Sequence, residues 1–219
     1  MSMGSTPAGT QIVQLPDGSE VTLNRYSQLA YPNRFKEQNR EVSLKGEAYF
    51  AVSKDKNHPF IVQTGVVDVR VLGTEFNVEA YPRDALVKAT LYEGSVAVDA
   101  ENDNSLVLVP GELAVYDKEA RLLNKSHATK MDDEIAWKDG ALIFSNTSLR
   151  EISRQLSNAF NVEIVIEGEQ LGERKLSGRF IHGETLETIL SLLQSAGQFD
   201  VKTENQTLYI LSNSKEPHV

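Results

Sequence analysis

The chain has 219 residues, of which 40% are hydrophobic and 24% charged, a composition typical of a globular protein that is long enough for two domains. Its 22 basic and 31 acidic residues give a formal net charge of -9, which would repel a phosphate backbone and excludes nucleic acid as an expected partner. The absence of cysteine excludes disulfides, thiolate metal sites and cysteine nucleophiles.

The opening residues carry no targeting signal. Residues 1–5 have neither a basic n-region nor an apolar h-region, so they do not predict a signal peptide. No segment approaches the roughly 18 consecutive apolar residues that a membrane helix needs. The opening could be an expression scar, and any targeting or membrane segment of the natural protein would then lie upstream of it.

Short stretches of alternating apolar and polar residues fill residues 10–116. This alternation is typical of half-buried strands, and turn formers such as Pro-Asp-Gly-Ser at 16–19 separate the stretches. Many short strands punctuated by glycine and proline favour a sandwich, barrel or β-roll over βαβ units. We therefore predict an all-β N-terminal domain over residues 6–118, a β-roll or sandwich of many short strands.

A polar stretch follows the last of these strands. It covers residues 119–135 and ends in Asp132, Asp133 and Glu134. The composition predicts a linker over 119–135. We interpret the three carboxylates as part of a solvated loop or helix start, because no histidine or paired acid accompanies them to build a metal or catalytic site.

A strand and an amphipathic helix are predicted next. Residues 141–144 are apolar, and apolar residues then recur at 149, 152, 156, 159 and 160, the spacing of one helix face. Ser148 followed by Glu151 is a capping-box pattern for the helix start, and Asn161 is suited to its end. Residues 162–166 predict another strand.

The same unit recurs after a shift of 37 positions, from 149 to 186. The shift maps Leu149 onto Leu186, Ile152 onto Ile189, Leu156 onto Leu193, Val162 onto Phe199 and Ile164 onto Val201. Each helix is preceded by a strand that ends in an aromatic residue, Phe144 or Phe180. We therefore predict an α+β C-terminal domain over residues 136–212 with a duplicated βαβ-βαβ topology.

Residues that could carry chemistry are present but scattered. No histidine has a second ligand at helical spacing, so no metal site is predicted at His58, His127, His182 or His218. Neither a nucleophile elbow nor a phosphate-binding glycine loop occurs, and no cofactor is predicted. Four glutamates beside a glycine or a Gly-Thr pair could serve a glycoside hydrolase, although such positions also suit turns and strand ends: Glu47, Glu75, Glu93 and Glu112.

The single tryptophan, Trp137, opens the C-terminal domain in the sequence Trp-Lys-Asp-Gly at 137–140. An indole at this position could be a hot spot for a partner. A lone tryptophan at the entrance of a domain more often closes the end of its own core, and we prefer that interpretation.

An ordered series of motifs runs through the β domain. The series comprises Pro-Asp-Gly-Ser at 16–19, Gly-Glu-Ala-Tyr-Phe at 46–50, Pro-Phe at 59–60, Leu-Gly-Thr-x-Phe at 72–76, Glu-Gly at 93–94 and Pro-Gly-Glu at 110–112. It resembles the FecR family of bacterial anti-sigma factors over residues of about 6 to 118, and its structural motif residues include Gly46, Glu47, Gly73, Thr74 and Phe76. The C-terminal part, with Trp137 and Gly140, resembles the domain that ends such proteins in Bacteroides-type bacteria, and it is similar to the short N-terminal domain of secretins and TonB-dependent transducers.

The resemblance implies a membrane-tethered anti-sigma factor in signal transduction and transcription regulation. This chain would be its periplasmic part, which is not an enzyme and needs no cofactor. It would bind the signalling domain of an outer-membrane TonB-dependent transducer. An extracytoplasmic-function sigma factor would bind only through a segment absent from this chain, and the inner membrane would be reached only through an absent upstream helix.

Docking by β-augmentation is the predicted mode of partner binding. We expect the last strand to offer its edge, through Leu208, Tyr209, Ile210 and Leu211, unless the terminal tail covers that edge. Two other functions remain open. One is a periplasmic glycan-acting enzyme that uses carboxylates of the β domain, and the other is a structural module of an envelope transport machine.

Overall fold

The computed structural model describes residues 2–6, 9–101 and 104–213. It divides the chain into two units, Met1–Ile135 and Ala136–Val219. Strands dominate the first unit, whereas helices and strands alternate in the second. The predicted fold class, an all-β N-terminal domain and an α+β C-terminal domain, is thereby confirmed. In the described ranges, no helix is both long enough and apolar enough to cross a membrane.

The strands of the first unit follow the predicted period-2 pattern most clearly at residues 67–71 and 112–117, where buried and more exposed side chains alternate. They are β1 (Ser2–Ser5), β2 (Gln11–Gln14), β3 (Glu20–Leu23), β4 (Gln28–Tyr31), β5 (Arg40–Ala51), β6 (Phe60–Gln63), β7 (Val67–Val71), β8 (Glu75–Ala80), β9 (Leu86–Glu93), β10 (Val96–Ala100), β11 (Ser105–Leu108), β12 (Glu112–Asp117) and β13 (Leu122–His127). The first of them precedes residue 6, where the domain was predicted to begin.

The long strand β5 is shared by two halves of the sheet. Its first half pairs with β4 and, in parallel, with β6, whereas its second half pairs with β3 and β8. From β5 the order continues through β6, β7, β10 and β11 on one side and through β8, β9, β12 and β13 on the other. The partners change at Gly46, where φ is +105° and an added Cβ would lie 2.4 Å from Ser27 Oγ. Only glycine fits at this position.

A phenylalanine cluster joins the two halves. Phe50 on β5 stacks on Phe76 on β8 with ring centroids 4.9 Å apart, and it makes an edge contact at 6.1 Å with Phe60 on β6. All three side chains are fully buried within one hydrophobic core. Because Phe60 and Phe76 come from opposite halves, the halves face each other as a sandwich across this core. Burial of each ring stabilises the unit by about 1.5–3 kcal/mol.

The segment predicted as a linker, residues 119–135, contains a strand. Within it, β13 pairs along its whole length with β12 in antiparallel register. Only Leu123 of this strand is buried and joins the core. The linker prediction is wrong for residues 122–127, because an edge strand with one buried residue has almost no apolar alternation to reveal it.

A short helix, α1 (Met131–Glu134), closes the first unit. Its backbone is held by the hydroxyl of Tyr92, which donates to the carbonyl of Met131 at 3.0 Å. Thr90 Oγ1 donates to the Glu134 carboxylate at 3.1 Å. These two bonds fix α1 to strand β9. The acidic cluster lies in this helix, which is the second of the two alternatives, a solvated loop or a helix start.

The second unit contains two pairs of a strand and a longer helix. Its elements are a 3-10 helix (Ala136–Asp139), β14 (Leu142–Ser148), α2 (Leu149–Phe160), β15 (Glu163–Ile166), α3 (Glu169–Gly172), β16 (Lys175–Phe180), α4 (Leu186–Gly197), β17 (Phe199–Glu204) and β18 (Thr207–Ser212). Helices α2 and α4 both have 12 residues. The strand-helix-strand unit is therefore duplicated at the predicted spacing.

The two longer helices begin and end in the same way. Ser148 accepts a hydrogen bond from the third backbone N–H of α2, and Thr185 does so for α4. Asn161 and Gln198 end them in the left-handed conformation, each with φ of +51°. The predicted N-cap and C-cap of α2 are confirmed, and the capping of α4 repeats them.

The strands that flank each helix lie in different sheets. Strands β14 and β16 form an antiparallel pair, whereas β15, β18 and β17 form a three-stranded sheet in that order. The buried faces of α2 and α4 complete one core with Phe144 and Phe180, whose ring centroids are 5.9 Å apart. The helices therefore bury one face of the small sheets.

Candidate docking surface

The carboxylate of the motif residue Glu47 holds neighbouring strands together by hydrogen bonds. Its carboxylate accepts hydrogen bonds from Asn24 Nδ2 at 2.7 Å and from Asn77 Nδ2 at 2.9 Å. Asn77 is only 5% exposed. Glu47 thus ties the end of β3 and the middle of β8 to β5, which is a structural role.

The Leu-Gly-Thr motif fixes a close crossing of the chain. An added Cβ on Gly73, where φ is +143°, would lie 2.6 Å from the Cα of Lys54. The carbonyl of the next residue, Thr74, accepts a hydrogen bond from the Val52 N–H at 3.0 Å. Thr74 Oγ1 donates to the carbonyl of Ser95 at 3.1 Å. The motif therefore holds together segments that are distant in sequence.

A shallow groove of about 180 Å³ runs beside this crossing, lined by residues 51–54, 73–75 and 93. Its carboxylates have partners, since Tyr49 donates to Glu75 at 2.6 Å and Lys54 forms an exposed ion pair with Glu93 at 3.6 Å. Burial and the hydrogen bond to Glu75 raise the pKa of Tyr49, so its hydroxyl remains a donor.

The last of the four glutamates considered for glycan chemistry is also tied to the backbone. Glu112 accepts a hydrogen bond from the Val109 N–H at 2.9 Å and pairs with Lys125 at 3.1 Å. The Val109 N–H, together with Lys125, lowers the pKa of the Glu112 carboxyl. A protonated general acid needs the opposite shift. The contacts of the four glutamates give the hydrolase alternative no support.

Sequence reasoning missed Arg40, although it organises the Pro-Asp-Gly-Ser turn. Its guanidinium, 4% exposed, pairs with Asp17 at 2.7 Å and donates to the backbone carbonyls of Ser53 and His58 at 2.9 and 2.8 Å. It also lies 5.5 Å from the ring centroid of Phe60. In the sequence, Asp17 is an ordinary turn residue whose side chain would bond to its own backbone. Nothing in the sequence therefore indicates Arg40 as its distant partner.

No group of His, Asp or Glu that could hold a metal ion occurs in the described part of the chain. His58 contacts Asp55 at 2.7 Å through Nδ1. His218 lies outside the described residues.

Trp137 and Gly140 shape the entrance to the second unit. The N–H of Gly140 donates to the carbonyl of Trp137 at 2.9 Å, and the N–H of Ala141 donates to that of Ala136 at 3.1 Å. These bonds end the 3-10 helix. The indole of Trp137 is 7% exposed, which supports a structural role over a partner contact.

The last strand does not provide a free edge. Strand β18 pairs with β15 on one side and β17 on the other, so the prediction that Leu208–Leu211 forms the edge is wrong. The physical reason is that β15 pairs with β18 in parallel, a contact between residues far apart in sequence. Leu208 and Ile210 pack in the core, whereas Tyr209 and Leu211 alternate to the opposite face.

That opposite face has an apolar centre, formed by Val165, Tyr209 and Leu211, which are all half-buried. Val165 is in register with Tyr209, and Tyr209 with Lys202 on β17. We call the face defined by these outward residues of β15, β18 and β17 the outer sheet face.

Carboxylates surround the apolar centre of the outer sheet face. Glu163 and Glu204 flank Thr207 in register at one end, and Glu167 and Asp200 lie at the other, on the same alternating face. Glu204 forms an ion pair with Lys202. The apolar centre is therefore surrounded by four carboxylates and one ammonium group.

Strand β15 leaves one edge without a strand partner in the described chain. The N–H of Glu167 donates to the carbonyl of Ile210 at 2.9 Å, so the odd-numbered residues of this segment direct their backbone groups to β18. The N–H and C=O groups of Ile164 and Ile166 consequently point to the open side. They can accept an added strand.

Two family models match the chain. The model described as FecR protein matches residues 4–97, and the model described as FecR, C-terminal, matches residues 141–210. The latter covers the duplicated strand-helix units. The similarity of this region to secretin and transducer short domains stays a prediction.

The chain is also similar to two crystal structures of a candidate anti-sigma factor from Parabacteroides distasonis. The first has a TM-score of 0.84 at 30% sequence identity and covers 98% of this chain and 100% of the other. The second has a TM-score of 0.83 at 30% identity, with 97% and 99% covered. No curated protein sequence matches the chain.

Proposed function

Because the chain belongs to the FecR family of anti-sigma factors, we propose that it is the periplasmic relay of a membrane-tethered regulator that binds a TonB-dependent transducer. In this proposal the C-terminal unit binds the signalling domain of the transducer in the outer membrane. Binding alters the release of an extracytoplasmic-function sigma factor. The sigma factor binds a cytoplasmic segment, and no residue of this chain is proposed to contact it.

The outer sheet face, together with the open edge of β15, is the observation that carries the proposal. A relay requires a surface whose occupancy biases one of two states, and it requires no reacting groups. An apolar centre surrounded by polar residues is the usual anatomy of a binding surface. The half-buried Tyr209 at that centre is of the residue type that dominates binding energy at interfaces.

The first unit supports the relay in a different way. Its motif residues are engaged in contacts that hold strands together, as the bonds of Glu47 and Thr74 illustrate. Such contacts give a rigid body, which can transmit a force or a displacement without deforming. The proposal therefore assigns docking to the second unit and rigidity to the first.

Calorimetric titration with the N-terminal signalling domains of TonB-dependent transducers from the same organism tests the proposal. We expect one of them to bind in a 1:1 complex, and Tyr209→Ala to weaken that binding by about tenfold or more. Tyr26→Ala is the matched control, because Tyr26 is an exposed tyrosine of the first unit and should leave affinity unchanged. Absence of binding to every transducer domain would contradict the proposal.

A further inference from the structure

The open edge of β15 combines backbone groups that no other described strand pairs with and a defined row of side chains. The N–H and C=O groups of Ile164 and Ile166 point to the open side, whereas their side chains pack on the core. The outward residues along this edge are Glu163 and Val165 of β15 and then Glu167, which follows the strand and continues the pairing through its N–H bond to Ile210. An added strand would therefore meet one apolar residue between two carboxylates.

We infer that this edge takes an extended segment of the transducer's signalling domain in which two basic residues flank an apolar one in the pattern basic-x-apolar-x-basic. The inference rests on the proposed function and names the partner of its docking surface. Residues directly opposite each other on neighbouring strands interact most strongly, and opposite charges are favourable there. The apolar residue of the segment lies beside Val165, and its two basic residues lie beside Glu163 and Glu167.

The negative charge of the outer sheet face favours a basic segment over a second copy of the chain as the occupant of this edge. The outer sheet face has four carboxylates against one ammonium group, Lys202, which Glu204 already engages. The chain as a whole has a formal net charge of -9. Two copies that met edge to edge at β15 would place like charges opposite each other, which is destabilising in a sheet. A basic segment gains from the same arrangement.

Strand β17 of the same sheet can be compared with β15 as an edge strand. It is the other edge of the three-stranded sheet, and its outward residues are Asp200, Lys202 and Glu204. A lysine on an edge strand is a common protection against the addition of another strand. Val165 occupies the corresponding central position on β15 and provides no such protection.

Peptide titration of the 219-residue chain, followed by ¹H–¹⁵N NMR, tests the edge without any transducer. The probe is a peptide with the sequence Thr-Thr-Lys-Thr-Val-Thr-Lys-Thr-Thr, which reads the same in both strand directions. Its control has glutamate in place of both lysines. At peptide concentrations of about 1 mM, we expect the amide signals of Ile164 and Ile166 to shift with the basic peptide only. No shift, equal shifts with both peptides, or shifts confined to β17 would overturn the inference.

Calorimetry with the transducer domain that binds the wild-type chain gives the second test. The double variant Glu163→Gln with Glu167→Gln should weaken binding by about tenfold, since two cross-strand charge pairs are lost. The matched variant Glu37→Gln with Glu119→Gln removes the same charge from two exposed carboxylates of the first unit, outside the outer sheet face, and should change affinity by less than about twofold. Wild-type binding that both double variants weaken equally, or that neither weakens, would overturn the inference while the proposed function stands.

A measurement of self-association tests whether a second copy of the chain occupies the edge instead. Sedimentation of the wild-type chain should show a monomer, and the Glu163→Gln, Glu167→Gln variant should remain one. A dimer that this variant strengthens would identify a second copy as the occupant of the edge and would overturn the inference. If no transducer domain binds but the basic peptide shifts Ile164 and Ile166, the proposed function fails and the edge specificity stands.

Discussion

The guanidinium of Arg40 places a positive charge inside the first unit, and its surroundings compensate that charge. Asp17 supplies the counter-charge, and the carbonyls of Ser53 and His58 accept two further hydrogen bonds. A charge removed from water is tolerated only with such partners. The turn that contains Asp17 is thereby linked to loops far from it in sequence.

Removal of the counter-ion should cost much more than removal of an exposed pair. We expect Asp17→Ala to lower the free energy of unfolding by about 3 kcal/mol, because it leaves the buried charge of Arg40 without its partner. The measurement is urea denaturation followed by circular dichroism. Glu93→Ala, which breaks the exposed pair with Lys54, is the control and should cost less than about 1 kcal/mol. Equal losses would show that the buried pair contributes no more to the free energy of unfolding than the exposed pair.

Gly46 is a second position where a single residue decides the local structure. We expect Gly46→Ala to destabilise the first unit by more than about 2 kcal/mol, because the new Cβ would meet Ser27 as well as adopt a positive φ. Gly65→Ala separates the two causes, since Gly65 has φ of +91° but no atom within 4 Å of an added Cβ. Thermal unfolding measures both variants. A loss no larger than that of Gly65→Ala would remove the steric argument.

At the scale of elements, the two longer helices are paired copies with different N-cap residues. Ser148 and Thr185 satisfy the same orphan N–H group at the start of α2 and α4. Both helices bury one apolar face in a common core, so each supports the packing of the other. The caps and the packing act together, because a helix of 12 residues is marginal on its own.

The caps should contribute similar amounts to stability. We expect Ser148→Ala and Thr185→Ala each to lower the free energy of unfolding of the second unit by about 1 kcal/mol. Ser191→Ala is the control, since Ser191 is exposed in the middle of α4, where alanine has the higher helix propensity. Urea denaturation measures all three. A loss for Ser191→Ala as large as those at the caps would contradict the capping argument.

At the scale of the whole molecule, each unit has its own hydrophobic core. The core of the first unit includes residues from Val13 to Leu123, and that of the second extends from Phe144 to Ile210. A unit with its own core is expected to fold on its own. The boundary between Ile135 and Ala136 then decides which fragments are stable.

Two fragments of the first unit test this boundary. We expect the fragment 1–135 to unfold cooperatively, and the fragment 1–118 to be less stable by more than about 3 kcal/mol. The shorter fragment lacks β13, so it leaves the edge of β12 unpaired and removes Leu123 from the core. Urea denaturation followed by circular dichroism compares the two. Equal stabilities would restore the interpretation of residues 119–135 as a linker.

Local patterns in the sequence were sufficient to predict the features that depend on neighbouring residues. Alternation predicted the β-rich first unit, helical spacing predicted α2 and α4, and the capping pattern at Ser148 located a helix start that the structure has at Leu149. Motifs with glycine at fixed positions were sufficient for the FecR resemblance. These features are encoded within a few residues, so a single sequence displays them.

The order of the strands in each sheet could not be read from local patterns and depends on the folded chain. The parallel pairing of β15 with β18 places Leu208–Leu211 in the centre of a sheet. The open edge is formed instead by β15, at Ile164 and Ile166. The ion pair between Asp17 and Arg40 likewise joins residues that no local pattern connects. Strand order and buried pairs depend on packing between distant segments, and the alternation of a strand is the same at an edge as in the middle.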